Sequence, residues 1–168
     1  MADDTVIFNG NAARFVEDEA DAASGETDIT PGHFVTLDSS REVNLQSGEA
    51  TDGRGIIAVL SRSDPSHAKS DKYNSDDDGE RVSLAYVPIG GKVDAFVVAG
   101  GDLTTAGNAN ISEGDLLVET DNGGLANADT ETRGSDDHVL YRAEEAVDNS
   151  GASAGVDNQS RIEARRVA

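Results

Sequence analysis

Residues 81–99 read Arg81-Val82-Ser83-Leu84-Ala85-Tyr86-Val87-Pro88-Ile89-Gly90-Gly91-Lys92-Val93-Asp94-Ala95-Phe96-Val97-Val98-Ala99. In an extended chain successive side chains point to opposite faces, so Val82, Leu84 and Tyr86 share one face and Ser83 and Ala85 the other. After the Pro-Ile-Gly-Gly break, Val93, Ala95, Val97 and Ala99 alternate with Asp94, Phe96 and Val98. Both faces of this second segment are therefore expected to be buried. Two period-two runs separated by Pro and Gly spell strand, turn, strand.

The same grammar extends in both directions. Short apolar runs bounded by Gly, Asn, Asp and Ser fall at 5–8, 33–38, 42–46, 55–61, 115–120, 138–147 and 161–167. Eighteen glycines in 168 residues exceed the usual ~7% and fit frequent tight turns. About nine short strands with little helical spacing predict an all-β domain, a small barrel or a sandwich. Residues 14–28 are acidic and alanine-rich, and read as a helix or as an arm that orders on binding. The organisation expected is an N-terminal arm over 1–28 and a β-domain over 29–168. A polar insertion at 62–80 and a Gly/Ala/Ser/Asn loop at 148–160 interrupt that domain. One phrase occurs twice: Ile29-Thr30-Pro31-Gly32-His33-Phe34-Val35 and Ile111-Ser112-Glu113-Gly114-Asp115-Leu116-Leu117. In each, a glycine permits the turn that launches a strand.

A chain of this length suits one domain with its own core. Acidic residues number 33 against 13 basic ones, a formal charge of −20. That balance argues against nucleic acid and an anionic membrane as partners, since both require a Lys/Arg surface. With no cysteine there is no disulfide frame, zinc–thiolate site or thiol nucleophile. The apolar runs at 56–60 and 95–99 are far too short to cross a membrane, and the first thirty residues carry no apolar export segment. Lysine occurs only at Lys69, Lys72 and Lys92, while aspartate is spread from Asp3-Asp4 through Asp76-Asp77-Asp78 to Asp136-Asp137. Such a molecule repels itself in dilute buffer. At molar salt the Debye length is about 3 Å and most of that repulsion disappears. The composition reads as adaptation to brine; a partly disordered acidic chain is the alternative, and the regular β-branched runs oppose it.

Little catalytic chemistry is spelled out. Gly151-Ala152-Ser153-Ala154-Gly155 matches a nucleophile elbow, but Val156-Asp157-Asn158-Gln159-Ser160 is a poor helix start, and His33, His67 and His138 all precede Ser153. No two histidines lie at metal-ligand spacing, and a solvated role is expected for each. Gly90-Gly91 and Gly100-Gly101 read as turns. Asn74, Asp76 and Asp78 followed by Gly79 resemble half of a calcium loop, and Glu80 adds an oxygen. Ala85 stands where the bidentate glutamate belongs. The candidate metal ligands are thus Asn74, Asp76, Asp78 and Glu80, for Ca, Mg, Na or K; no cofactor is required. Asn110-Ile111-Ser112 and Asn158-Gln159-Ser160 are sequons, with glycosylation contingent on export.

The order of these segments resembles the small β-barrel capsid decoration, or cement, proteins of tailed viruses. The resemblance runs from Ile29 to Val167. It rests on the twice-used Ile-(Ser/Thr)-X-Gly phrase, on Gly55-Ile56-Ile57-Ala58-Val59, and on Val87-Pro88-Ile89-Gly90-Gly91-Lys92-Val93. The glycine hairpin Gly123-Gly124-Leu125-Ala126 completes it. The acidic 14–28 segment, the 62–80 insertion, and His33 where the family usually has Asp depart from the pattern.

What the resemblance implies is a non-enzymatic virion protein on the outside of an icosahedral head. It would be made in the host cytoplasm and be commonly homotrimeric. It would clamp neighbouring major capsid subunits. With the acidic surface, the virus implied is one of a halophilic archaeon. An arm carrying Val6, Ile7, Phe8, Phe15 and Val16 is the candidate capsid contact, adding a strand to a capsid edge; residues 6–8 pairing within their own domain is the alternative. A secreted or surface β-module of a halophile, and a small hydrolase, are the other functional classes.

Overall fold

The computed structural model describes residues 16–24, 29–46, 55–59, 81–97, 110–120, 123–128, 140–149 and 160–168. Among these the chain is all-β, with ten strands and no helix. They are β1 (Val16–Asp21), β2 (Val35–Leu37), β3 (Val43–Leu45), β4 (Ile56–Ala58) and β5 (Arg81–Tyr86). The second half holds β6 (Lys92–Phe96), β7 (Leu116–Glu119), β8 (Leu125–Asn127), β9 (Leu140–Ala143) and β10 (Arg161–Arg166). They form a three-stranded sheet β1-β5-β4, a five-stranded sheet β6-β10-β9-β7-β8 and the hairpin β2-β3. Every ladder is antiparallel.

The alternation at 81–87 explains the layering. Val82 and Leu84 point to one side of β5, into a cluster with Ile29, Val35, Val43, Ile56 and Ala58. Ala85 and Val87 point to the other, into the main core with Ile57, Val59, Leu117, Leu125, Tyr141 and Ile162. The β4–β5 pair is therefore a middle layer, with the β2–β3 hairpin on one side and the five-stranded sheet on the other. Phe34, Ile57, Leu84, Leu117 and Ile162 have no exposed surface. Truncating one such aliphatic side chain to alanine costs about 2–5 kcal/mol.

Three expectations are refined. The barrel-or-sandwich choice resolves to open, packed sheets. An isolated parallel bridge between Val97 and Leu125 brings the two edges of the five-stranded sheet together, but among the described residues no ladder joins β6 to β8. Residues 16–21, read as part of a helix or binding-ordered arm, are a strand paired with β5 from Val16↔Tyr86 to Asp21↔Arg81. The edge of β5 decides this: a long paired neighbour overrides the helical preference of an Ala/Glu-rich run. Finally, Val93, Ala95 and Val97 are buried, whereas Lys92, Asp94 and Phe96 are only half-buried. The outer face of β6 carries ion pairs in place of a second core.

Candidate functional site

The repeated phrase folds twice into the same turn. In the first copy the His33 N–H donates to the Thr30 carbonyl at 3.0 Å, and the Thr30 N–H donates back to His33 Nδ1 at 3.0 Å. In the second the Asp115 N–H donates to the Ser112 carbonyl at 3.1 Å, and the Ser112 N–H donates to Asp115 Oδ2 at 2.8 Å. Gly32 and Gly114 occupy the third position at φ +105° and +91°, the left-handed region that a type II turn demands there. Ile29 and Ile111, one residue ahead, anchor both turns in apolar clusters.

The first turn is sunk into a junction. Gly32 N–H donates to Ala58 O and Ala58 N–H to His33 O, both at 2.8 Å; Phe96 N–H donates to Gly32 O at 3.2 Å and Phe34 N–H to Gly123 O at 2.7 Å. Gln46 closes the ring, its N–H on Phe34 O and its carbonyl accepting from Gly123 N–H. One turn thus ties β3, β4, β6 and the β7–β8 connection. His33 is completely buried, which corrects the expected solvated role: its ring lies 4.2 Å from that of Phe96, so the imidazole is a core side chain. Arg161, from β10, holds the other side. Its Nε donates to both Asp94 carboxylate oxygens at 3.2 Å, Nη1 to Pro31 O at 3.2 Å and Nη2 to Asp94 O at 3.3 Å. The guanidinium carbon sits 4.5 Å from the Phe96 ring centre. Burial pushes the Asp94 carboxyl above its ordinary value despite Arg161, which pulls the other way.

A second polar cluster lies inside the sandwich. Glu119 has no exposed surface; its Oε1 accepts from the Gly55 N–H at 3.0 Å and from the Tyr141 hydroxyl at 2.8 Å. Burial, followed by the Glu119 charge, raises the Tyr141 phenol well above its ordinary value, with Arg166 opposing. Tyr141 is therefore a fixed donor. Arg166 reaches from the end of β10 to the Val87 carbonyl, joining the two sheets. A side chain at Gly55 would occupy the guanidinium position, 2.4 Å from Nη1. Tyr141 and Glu119 face inward and link β4, β7 and β9; their chemistry is attachment within the fold.

The outer face of β6, β10 and β9 carries a third group. Lys92 pairs with Glu144 at 3.1 Å and with Glu163, and Arg165 pairs with Glu144 while donating to Gly90 O at 3.1 Å. The Lys92 ammonium is raised by its bonds to Glu163 and then Glu144. The Glu144 carboxyl is lowered, chiefly by Arg165. By contrast, the Gln46 amide and the Thr120 hydroxyl are buried and make no side-chain hydrogen bond, a cost of about 1–3 kcal/mol each.

The candidate contact residues Val6, Ile7, Phe8 and Phe15 lie outside the described residues, as do the metal candidates Asn74, Asp76, Asp78 and Glu80. So do Ser153, His67 and His138. Val16, grouped with the arm, pairs with Tyr86 of its own chain. Asn110 of the first sequon accepts the Asn149 N–H at 2.9 Å through Oδ1. Among the described residues no group of three His, Cys, Asp or Glu side chains is placed to hold a metal ion, and no helix is long and apolar enough to cross a membrane.

The sequence reading missed the Glu119–Tyr141 and Arg161–Asp94 pairs. A usable signal existed for one: Glu119 shares the inward parity of Leu117, two residues earlier on a strand. No protein-family model matches the chain, and neither does any curated protein sequence.

Proposed function

We propose that this chain is a structural virion protein that seats on the outside of an icosahedral head and stabilises adjoining major capsid subunits. On this reading it acts as a homotrimer on a virus of a halophilic archaeon. The observation that carries the reading is the twice-built turn. The phrase on which the resemblance to decoration proteins rests is a real structural unit, with the same pair of hydrogen bonds at both occurrences. Two further features support a mechanical role. The buried Glu119 and Tyr141 tie strand to strand, and Arg166 reaches from β10 to the end of β5. The outer face of the five-stranded sheet is laced with ion pairs, while a net charge of −20 suits a molecule working in concentrated salt. A trimer multiplies modest contacts, so weak single interfaces suffice to hold a shell.

Sedimentation of purified heads with the protein at molar potassium chloride tests this. Saturable co-sedimentation in multiples of three is expected; protein left wholly in the supernatant overturns the reading. The arm is tested separately by deleting residues 1–15. Reduced head occupancy is expected, and full occupancy rejects an arm contact through Val6, Ile7, Phe8 and Phe15.

A further inference from the structure

We infer that the turn at residues 88–91 and the adjoining end of β10 lie on the threefold axis of a trimer of this chain, where Ile89 and Val167 pack against their own copies. The inference rests on the homotrimer reading above and names the surface which that reading requires.

Among the described residues the exposed large apolar side chains are Ile89, 71% exposed, and Val167, 37% exposed. A lone exposed apolar residue is ordinary, but these two share one end of the molecule. The Gly90 N–H donates to the Arg166 carbonyl at 2.7 Å, and the Arg166 N–H donates to the Gly91 carbonyl at 2.9 Å. The turn itself is closed by the Gly91 N–H on the Pro88 carbonyl at 2.8 Å. Two arginines of β10 brace it, Arg165 through the Gly90 carbonyl and Arg166 through the Val87 carbonyl. Ile89 is therefore held out on a fixed support, and little freedom is lost when a partner covers it.

Charge says what that partner is. On a symmetry axis each side chain meets its own copies, so an uncompensated charge there opposes itself. A chain with 33 acidic and 13 basic residues therefore needs apolar or charge-balanced surface at its axis. The outer face of β6 and β10, beside the tip, has that balance: Lys92, Arg161 and Arg165 are matched by Glu163, Asp94 and Glu144. Along β10 the outward signs alternate from Arg161 through Glu163 to Arg165, so a neighbouring copy can be met with cation opposite anion. Molar salt screens repulsion beyond about 3 Å but does not relieve like charges in contact. An apolar tip flanked by a balanced face thus suits two further copies of this same acidic chain.

The test is sedimentation equilibrium of the full chain and of Ile89→Asp in molar potassium chloride over a range of concentrations. The wild type is expected to be trimeric, and the variant, which sets three carboxylates against one another, to dissociate about tenfold more readily or more. A variant as firmly trimeric as the wild type overturns the inference and leaves the trimer standing. A wild type that is monomeric throughout removes the trimer reading, and the inference with it. Should the variant fail to fold, hydroxyl-radical footprinting of the wild type across the same concentrations decides. Protection of Ile89 and Val167 that grows with the trimer supports the axis. Labelling of both that stays constant as the trimer forms overturns it.

Discussion

The turns at 30–33 and 112–115 share backbone path, glycine position and reciprocal hydrogen bonds, yet one is interior and the other faces water. At the second, Ser112, Glu113 and Gly114 are exposed, and its main tertiary link is to Ala143 of β9, through the Gly114 N–H and the Asp115 carbonyl at 2.9 Å each. At the first, Arg161 reaches from a distant part of the chain to grip Pro31 and Asp94. Local sequence thus specifies the turn, while long-range packing decides how much depends on it. The cap residue follows the setting. A small carboxylate serves in water, and an aromatic ring that also packs on Phe96 serves in the interior.

The sharpest way to break this comparison is to place the same methyl at both glycines. Gly32→Ala meets a positive φ and a collision, since the new carbon would lie 2.7 Å from Arg161 Nη2 and 3.2 Å from Asp94 O. A loss of about 2–4 kcal/mol in urea unfolding is expected. Arg161→Met keeps the stem over Phe96 but removes the bonds to Asp94 and Pro31, and leaves Asp94 without its cation. It should cost about 1–3 kcal/mol, and an unchanged midpoint would show that the interior turn holds without its clamp. Gly114→Ala pays for the same φ region with nothing within 4 Å, so about 1 kcal/mol is expected. Equal losses at Gly32 and Gly114 would erase the distinction between the two turns.

The smallest effect sharpens the water-facing side. Glu144 follows Ala143, on which the second turn docks, and Glu144→Gln should cost about 0.5 kcal/mol at neutral pH. Because Arg165 lowers its carboxyl in the folded chain, the unfolded chain binds the proton first on acidification. The contribution is thus complete above the ordinary glutamate range and vanishes as pH falls through the lowered value. Wild type and variant should converge in acid, and also at high salt.

Most of the strand plan could be read directly. Val82, Leu84 and Tyr86 against Ser83 and Ala85 announced β5, and the eight segments expected as strands between 33 and 167 contain β2 to β7, β9 and β10, while β8 was not among them. Residues 16–21 were illegible because Glu and Ala say little about extended chain, and the deciding partner, β5, lies some sixty residues away. The burial of His33 was hidden for the same kind of reason. Its phrase is local, but Phe96, whose ring meets the imidazole, and Arg161, which grips Pro31 of the same turn, are not. The recurrence of the phrase was legible in the sequence, and the pairing of its fifth residue with its second became visible only in three dimensions.

The double-sided packing of β5 has a dynamic corollary. Leu84 and Ala85 are neighbours in sequence, yet each is sealed under a different layer, so no single loosened layer admits solvent to both sides of that backbone. Deuterium uptake at their amides should therefore track complete opening of the molecule and be the slowest in the chain. The Gly114 amide, held only at a rim, should exchange through local fraying. The pair would serve as internal clocks for global and local motion in a single sample.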